Sequence, residues 1–167
     1  MQEWFRLEIF RARRHGRPVG VIMIDVDHFK RINDRLGHEA GDVVLRELAS
    51  VIRAAARASD VVCRYGGEEF VVLMPEASVA DAARKAEELR AAVERLALES
   101  QGRAVGPLTI SAGVSGFPWH AQDTDALLRC ADEALYCAKQ QGRNRVIDAK
   151  QPRHVCRAPA ESAAGTA

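Results

Sequence analysis

No CxxC pair occurs among the four cysteines, Cys63, Cys130, Cys137 and Cys156, and none stands at zinc-ligand spacing from a histidine. A structural zinc site is excluded on that count. Cys130 and Cys137, seven apart in a helical pattern, read as small core-facing thiols, which suit the reducing cytoplasm expected for this chain. The histidines are scattered singly and carry no assigned chemistry. No apolar stretch approaches the roughly 18 residues of a membrane span, and the opening MQEWFR carries charges where a signal peptide would be apolar. Membrane insertion is therefore not expected. A net charge of +1 offers no general basic field for DNA or an anionic lipid surface, so an anionic ligand must be held by a local cluster.

What is present is an ordinary globular composition. The 167 residues suffice for one domain with a substantial core, and 47% apolar with 28% charged residues is typical of soluble proteins. "PVGVIMIDVD" (18–27) is a nearly unbroken apolar run ending in acids, which reads as a strand buried on both faces. "HFKRINDRLG" carries helix formers and stops at Gly37. From Glu39 to Arg57, Val43, Val44, Leu48, Val51, Ile52 and Ala55 recur at helical spacing. "DVVCRY" and "EFVVLM" are short strands joined by Gly66-Gly67, a strong hairpin signal. An alanine-rich helix over 79–98, a strand over 108–118, a helix ending at Gly142 and a last strand "RVIDA" complete the order. Residues 1–17 form a basic amphipathic helix, 18–149 the folded domain, and 150–167 an aperiodic tail expected to be disordered.

That order predicts an α/β fold of the α+β kind. Its core is ferredoxin-like βααββαβ, with a central, mostly antiparallel sheet flanked by helices and an added C-terminal helix and strand. A helical crossover makes the first two strands parallel, so the hairpin after the second lies level with the carboxyl end of the first. Asp25 and Asp27 at that end, and Glu68 and Glu69 after the glycines, should converge at one rim of the sheet. A turn needs glycines and no acid, and adjacent glutamates repel, so a cation is expected between them. Oxygen ligands without histidine or thiolate suit Mg²⁺ or Mn²⁺, which are commonly held by one or two carboxylates plus substrate phosphates. The glycines would let a phosphate-bearing ligand approach the backbone closely. Asp27 also reads as an N-cap for the helix that follows. On spacing alone, Lys139 and Arg143 equally fit a pair of cations complementing a helix C-terminus.

"GGEEF" (66–70) resembles the motif of the GGDEF domain, the family of diguanylate cyclases. The resemblance extends through "DVDHFKRIND" (25–34), "GHEAGDVVL" (37–45), "RASD" (57–60), "SAGVS" (111–115) and "ADEALYCAKQQGRNRV" (131–146), in family order. It implies that the 18–149 domain condenses two GTP into cyclic di-GMP with release of two pyrophosphates, as a homodimer whose facing domains each bind one GTP. It also implies site residues. Asp25, the carbonyl of Val26 and Glu68 would hold a pair of Mg²⁺ ions per half-site, Mn²⁺ being possible, and Glu68 and Glu69 would be catalytic. Asn33 and Asp42 would read guanine, Phe29, Lys30 and Gly67 would line the phosphate site, and Lys139 and Arg143 would grip terminal phosphates. Arg57 and Asp60 match the RxxD motif of an inhibitory site for the product.

Physical chemistry supports these assignments separately. A carboxylate such as Asp42 accepts from guanine N1–H and the exocyclic amine together, a donor pair adenine lacks on that edge. Arg57 has the fork geometry for guanine O6 and N7. One family block has no counterpart: nothing in residues 1–17 matches an L-T-G-L-x-N-R-like segment, which implies a shortened family start. Two other readings stand beside the cyclase. One is an inactive domain that binds cyclic di-GMP or GTP. The other is a related cyclase that accepts ATP.

Overall fold

The structure, a computed structural model, describes residues 2–149; the tail expected over 150–167 lies outside the described residues. Helix α1 (Gln2–His15) leads into strand β1 (Val19–Val26). Helices α2 (Phe29–Leu36) and α3 (His38–Ala55) carry the chain back to the hairpin of β2 (Val61–Arg64) and β3 (Glu69–Pro75). Then come α4 (Val79–Glu94), a small hairpin of β4 (Glu99–Ser100) and β5 (Arg103–Ala104), β6 (Ile110–Phe117), α5 (Thr124–Gln140) and β7 (Val146–Asp148). The main sheet runs β2-β3-β1-β6-β7. Neighbours are antiparallel except β6 and β7, which gives the mostly antiparallel sheet with flanking helices that the element order predicted.

Strand β1 is central and buried along its whole length. Because side chains alternate across a sheet, its two faces serve two cores. Ile22, Ile24 and Val26 pack with Phe70, Val72 and Val114 against Leu48 and Ile52 of α3 and Leu89 of α4. Val19, Val21 and Met23 pack with Val71 and Leu73 against Phe5 and Ile9 of α1 and Leu127 and Leu135 of α5. Each fully buried Ile or Leu contributes about 1.5–3 kcal/mol. Helix α1 thus closes the second face of the sheet with Phe5, Ile9 and Ala12, spaced as one helical stripe.

Several boundaries shift by about two residues from the sequence expectation, and the end of α4 shifts further. Helix α4 starts with a capping box, Ser78 accepting from the Asp81 amide while the Asp81 carboxylate accepts from the Ser78 amide. It ends at Glu94 rather than 98, and the chain turns at once into the β4–β5 hairpin, which periodicity did not show. Strand β6 begins at Ile110, and the residues ahead of it form a connection that passes beside α2, where the Arg35 guanidinium donates to the Val105 carbonyl.

Candidate active site

Register brings the acids together. Asp25, next to last in β1, pairs with Glu69 at the start of β3 and with Ser111 of β6. Directly opposed residues of antiparallel strands share a face, here the face covered by α5. Helix α5 runs toward this rim and delivers Lys139, whose Nζ lies 2.8 Å from Asp25 Oδ2. Burial pushes the Asp25 carboxyl up to about 6 from 3.8, and the nearby charges of Glu68 and Glu69 add to the rise. The bond from Lys139 holds it back. Asp25 is therefore a desolvated acid among like charges, kept in place by one ammonium.

Among the described residues, no three His, Cys, Asp or Glu side chains are arranged to hold a metal by themselves. A divalent ion at this rim would need further oxygen from the Val26 carbonyl, from phosphate or from water. That donor set, hard and incomplete, is the usual one for Mg²⁺ on a nucleotide. The residues present fit such an ion, since two or three converging carboxylates have too little positive charge beside them.

The Gly66-Gly67 turn joins β2 and β3 as the hairpin signal predicted, without using the left-handed freedom of glycine. Neither glycine has a left-handed φ. The turn is closed instead by the Tyr65 and Gly66 amides on the Glu69 carbonyl, at 2.8 and 3.4 Å, and by the Arg64 guanidinium on the Gly67 carbonyl, at 3.0 and 2.6 Å. The two glycines differ in what a side chain there would meet. A Cβ on Gly66 would lie 2.7 Å from Glu69 Oε2, and one on Gly67 would project into open space beside the acids.

Helices α2 and α3 form the second wall. Asn33 lies against α3 so closely that a Cβ on Gly41, the residue before Asp42, would collide with its Oδ1. That Oδ1 is buried and has no hydrogen-bond partner, an acceptor left unsatisfied at a cost that a donating ligand would remove. Asp42 is exposed beside it and borders a groove of about 400 Å³ with Arg46, Arg53 and Arg64. These arginines are the kind of local cation cluster that the near-zero net charge required. Phe29, 8% exposed, anchors the first turn of α2, and Lys30 follows it at the surface.

The third wall is the α5–β7 connection. Gly142, Arg143 and Asn144 have φ of 113, 63 and 46°. Three left-handed residues in a row, two of them with a Cβ, need outside support. Asp27 supplies part of it and does not serve as an N-cap as expected. The cap residue of α2 is His28, without a side-chain bond. The Asp27 carboxylate instead accepts from Thr109 Oγ1 at 2.8 Å, Ser111 Oγ at 2.7 Å and the Asn144 amide at 3.0 Å. Sequence reasoning missed Thr109, Ser111 and Asn144; the tandem acids of "DVD" were a signal for something at Asp27, but its partners lie 82 to 117 residues away.

Arg57 and Asp60 sit apart from this rim, in the turn after α3. The Arg57 amide donates to Asp60 Oδ2 at 2.8 Å, and Asp60 Oδ1 is buried without a partner. The structure thus joins Asp25 with Glu69 and Lys139, and Asn33 with the residue next to Asp42. It leaves Arg143 without an ion pair or side-chain hydrogen bond among the described residues.

Comparison with known proteins places the chain in a family. The pattern of the family described as "Diguanylate cyclase, GGDEF domain" matches residues 1–145. Response regulator PleD of Caulobacter vibrioides is 48% identical over 138 residues, covering 82% of this chain and 30% of its own length. The chain therefore spans about a third of the curated relatives it matches. Among solved structures, the active GGEEF domain of a diguanylate cyclase from Vibrio cholerae superposes with a TM-score of 0.82 at 35% identity, covering 90% of this chain and 94% of that one. The GGDEF domain of DgcB from Caulobacter crescentus, in complex with c-di-GMP, gives 0.83 at 34%, covering 88% and 86%. The ordered motifs, the sheet that assembles them and these relatives lead to one assignment: the chain belongs to the GGDEF domain family.

Proposed function

We propose that this domain is a diguanylate cyclase, joining two GTP molecules into cyclic di-GMP with release of two pyrophosphates. The observation that carries the reading is the convergence of Asp25 with Glu68 and Glu69 beside the open side of Gly67. Membership of the family and likeness to an active GGEEF domain support it.

Asp25, the Val26 carbonyl and Glu68 would hold Mg²⁺, or Mn²⁺, as a pair of ions. Bound there, such ions neutralise triphosphate charge and favour departure of pyrophosphate. The chain's own residues do the rest. The first-turn amides of Phe29 and Lys30 face phosphate oxygens, because helix N-terminal amides have no partner within the helix. Asn33, with its unpaired Oδ1, and Asp42 take the guanine edge. Lys139, which pairs with Asp25 in this structure, would with Arg143 supply the cations for the terminal phosphates.

In the reaction the 3′-oxygen of one GTP bonds to the α-phosphorus of the other, and the bond from that phosphorus to pyrophosphate breaks. Glu69 takes the hydroxyl proton. The second, equivalent step closes the ring, so two domains must face each other about a twofold axis. Arg57 and Asp60 form a product-binding, inhibitory site, for which the unpaired Asp60 Oδ1 offers an acceptor to the guanine amine. The c-di-GMP complex of the related DgcB domain supports product binding by this fold.

Incubation of the chain with GTP and Mg²⁺, followed by chromatographic separation of nucleotides, tests the reading. Cyclic di-GMP should appear with two pyrophosphates per molecule, at a specific rate that rises with chain concentration, and added product should slow it. GTP left intact at every concentration, with cyclic di-GMP still bound, would favour the binding-module reading instead.

A further inference from the structure

We infer that Asp27 is a positioning residue. It clamps the 142–144 connection to the ends of β1 and β6 and so holds Arg143 ready for the terminal phosphates of the nucleotide. The inference rests on the cyclase reading of the same site and adds to it a role that lies outside the metal and guanine contacts.

Asp27 is 5% exposed, and its carboxylate is committed to three donors: Thr109 Oγ1, Ser111 Oγ and the Asn144 amide. A desolvated carboxylate is costly unless its oxygens are satisfied, and here the donors come from β6 and from the connection after α5. Asp25, two residues earlier, faces Lys139 and the glutamates. Asp27 bonds to none of them, and both of its oxygens accept from other donors. The tandem acids of the rim therefore divide between reactive and supporting work.

What Asp27 supports is a strained segment. Arg143 and Asn144 are left-handed although both carry a Cβ, and left-handed backbone is unfavourable for such residues. Contacts from two other elements complete the clamp. The Arg143 amide donates to the Ala138 carbonyl at 3.0 Å, which ties it to α5. Asn144 Nδ2 donates to Glu94 Oε1, and Arg90 Nη1 donates to Asn144 Oδ1, at 2.8 and 2.7 Å, which ties its side chain to α4. The main-chain amide next to Arg143 is held by Asp27 alone. Without it, the backbone at 143–144 can relax toward right-handed conformations, and the guanidinium swings away from the rim.

The test uses the full chain and three substitutions. Binding of a nonhydrolysable GTP analogue with Mg²⁺ is compared with binding of GMP, which lacks the terminal phosphates. Asp27→Ala should weaken the triphosphate about tenfold or more and leave GMP within about twofold. In an Arg143→Ala background the same change should have little further effect. Asp27→Asn can keep its oxygen on the Asn144 amide and Thr109 Oγ1 while its Nδ2 donates to Ser111 Oγ, so it should recover most of the affinity. Equal losses for both nucleotides, an undiminished effect without Arg143, or an asparagine as harmful as alanine would each overturn the clamp.

Amide exchange in the nucleotide-free chain gives a separate readout. In Asp27→Ala, the Asn144 amide should lose protection while β1 and β6 keep theirs. Unchanged protection over 142–145 overturns the clamp. Failure of the wild-type chain to bind the GTP analogue, with the exchange change still seen in Asp27→Ala, overturns the cyclase reading and leaves the clamp standing.

Discussion

The two ends of the central sheet are made of the same strands and could hardly differ more. At one end Val19, Pro75 and Phe117 stand in register, and the α4 start is pressed onto the strands. A Cβ on Gly20 would lie 2.8 Å from the Ala82 Cβ, and one on Gly116 would lie 2.6 Å from Val79 Cγ2. At the other end the matching row is Asp25, Glu69 and Ser111, where helix ends and loops bring charges rather than methyl groups. Glycine lets elements touch at the first end and leaves space for something else at the second. The packed end fixes strand and helix positions tightly enough that the polar end can hold like charges close without falling apart.

The comparison is broken most severely by filling a seam. Gly113 of β6 lies under α5, where a Cβ would run into the backbone of Ala131 and Leu135. Backbone atoms cannot rotate aside, so Gly113→Ala must lift the helix. We expect a loss of about 3 kcal/mol, read as a fall in Tm on the order of 10 °C in thermal unfolding. Because α5 carries Lys139 to the rim, GTP turnover should fall as well, even well below the new Tm. A variant as stable as the parent would mean that the helix does not depend on this close approach.

Much of this was legible in the sequence, and the reasons are physical. The apolar run of β1 marked a strand covered on both faces, and the hydrophobic period of α3 marked its buried stripe, because burial selects residue type at fixed spacing. The crossover rule then placed Asp25 level with the Gly66-Gly67 turn, and the pairing of Asp25 with Glu69 agrees with that placement. What stayed hidden was decided by residues distant in the chain. Nothing in "DVD" states that Asp27 will bond to Thr109 and Asn144, and nothing in the α5 sequence states that Lys139 will rest on Asp25. The β4–β5 hairpin escaped because strands of two residues each carry no alternation to detect. The turn glycines were read both as a hairpin signal and as room for a ligand, and neither has a left-handed φ.

A smaller but sharper break comes from neutralising the rim. The folded state raises the Asp25 carboxyl from 3.8 to about 6. A raised acid binds its proton more tightly when folded, so its contribution to stability is full below about pH 4 and is lost as pH rises through about 6. In the absence of divalent cations, Asp25→Asn should therefore stabilise the chain by about 2 kcal/mol at pH 7 and by little at pH 4. The same variant should lose at least about 100-fold in cyclic di-GMP formation, a trade of stability for function. Denaturant midpoints at the two pH values check the first claim. If the difference between parent and variant is flat with pH, Asp25 is not the strained group.

The smallest stability effect is expected at Gly67, and it is the most informative about what the open end is for. Its φ is not left-handed and a Cβ would meet nothing within 4 Å, so Gly67→Ala should change stability by less than about 0.5 kcal/mol. A turn that tolerates alanine so easily has no structural need of glycine there. If the vacant space belongs to the nucleotide, the added methyl group should weaken a nonhydrolysable GTP analogue about tenfold while the unfolding midpoint stays put. Gly66→Ala provides the contrast, since its Cβ would displace the Glu69 carboxylate and should disturb turnover more than binding. Were Gly67→Ala to bind the analogue as tightly as the parent, the space beside the acids would be accidental, and the phosphates would have to lie elsewhere along the rim, nearer the first turn of α2.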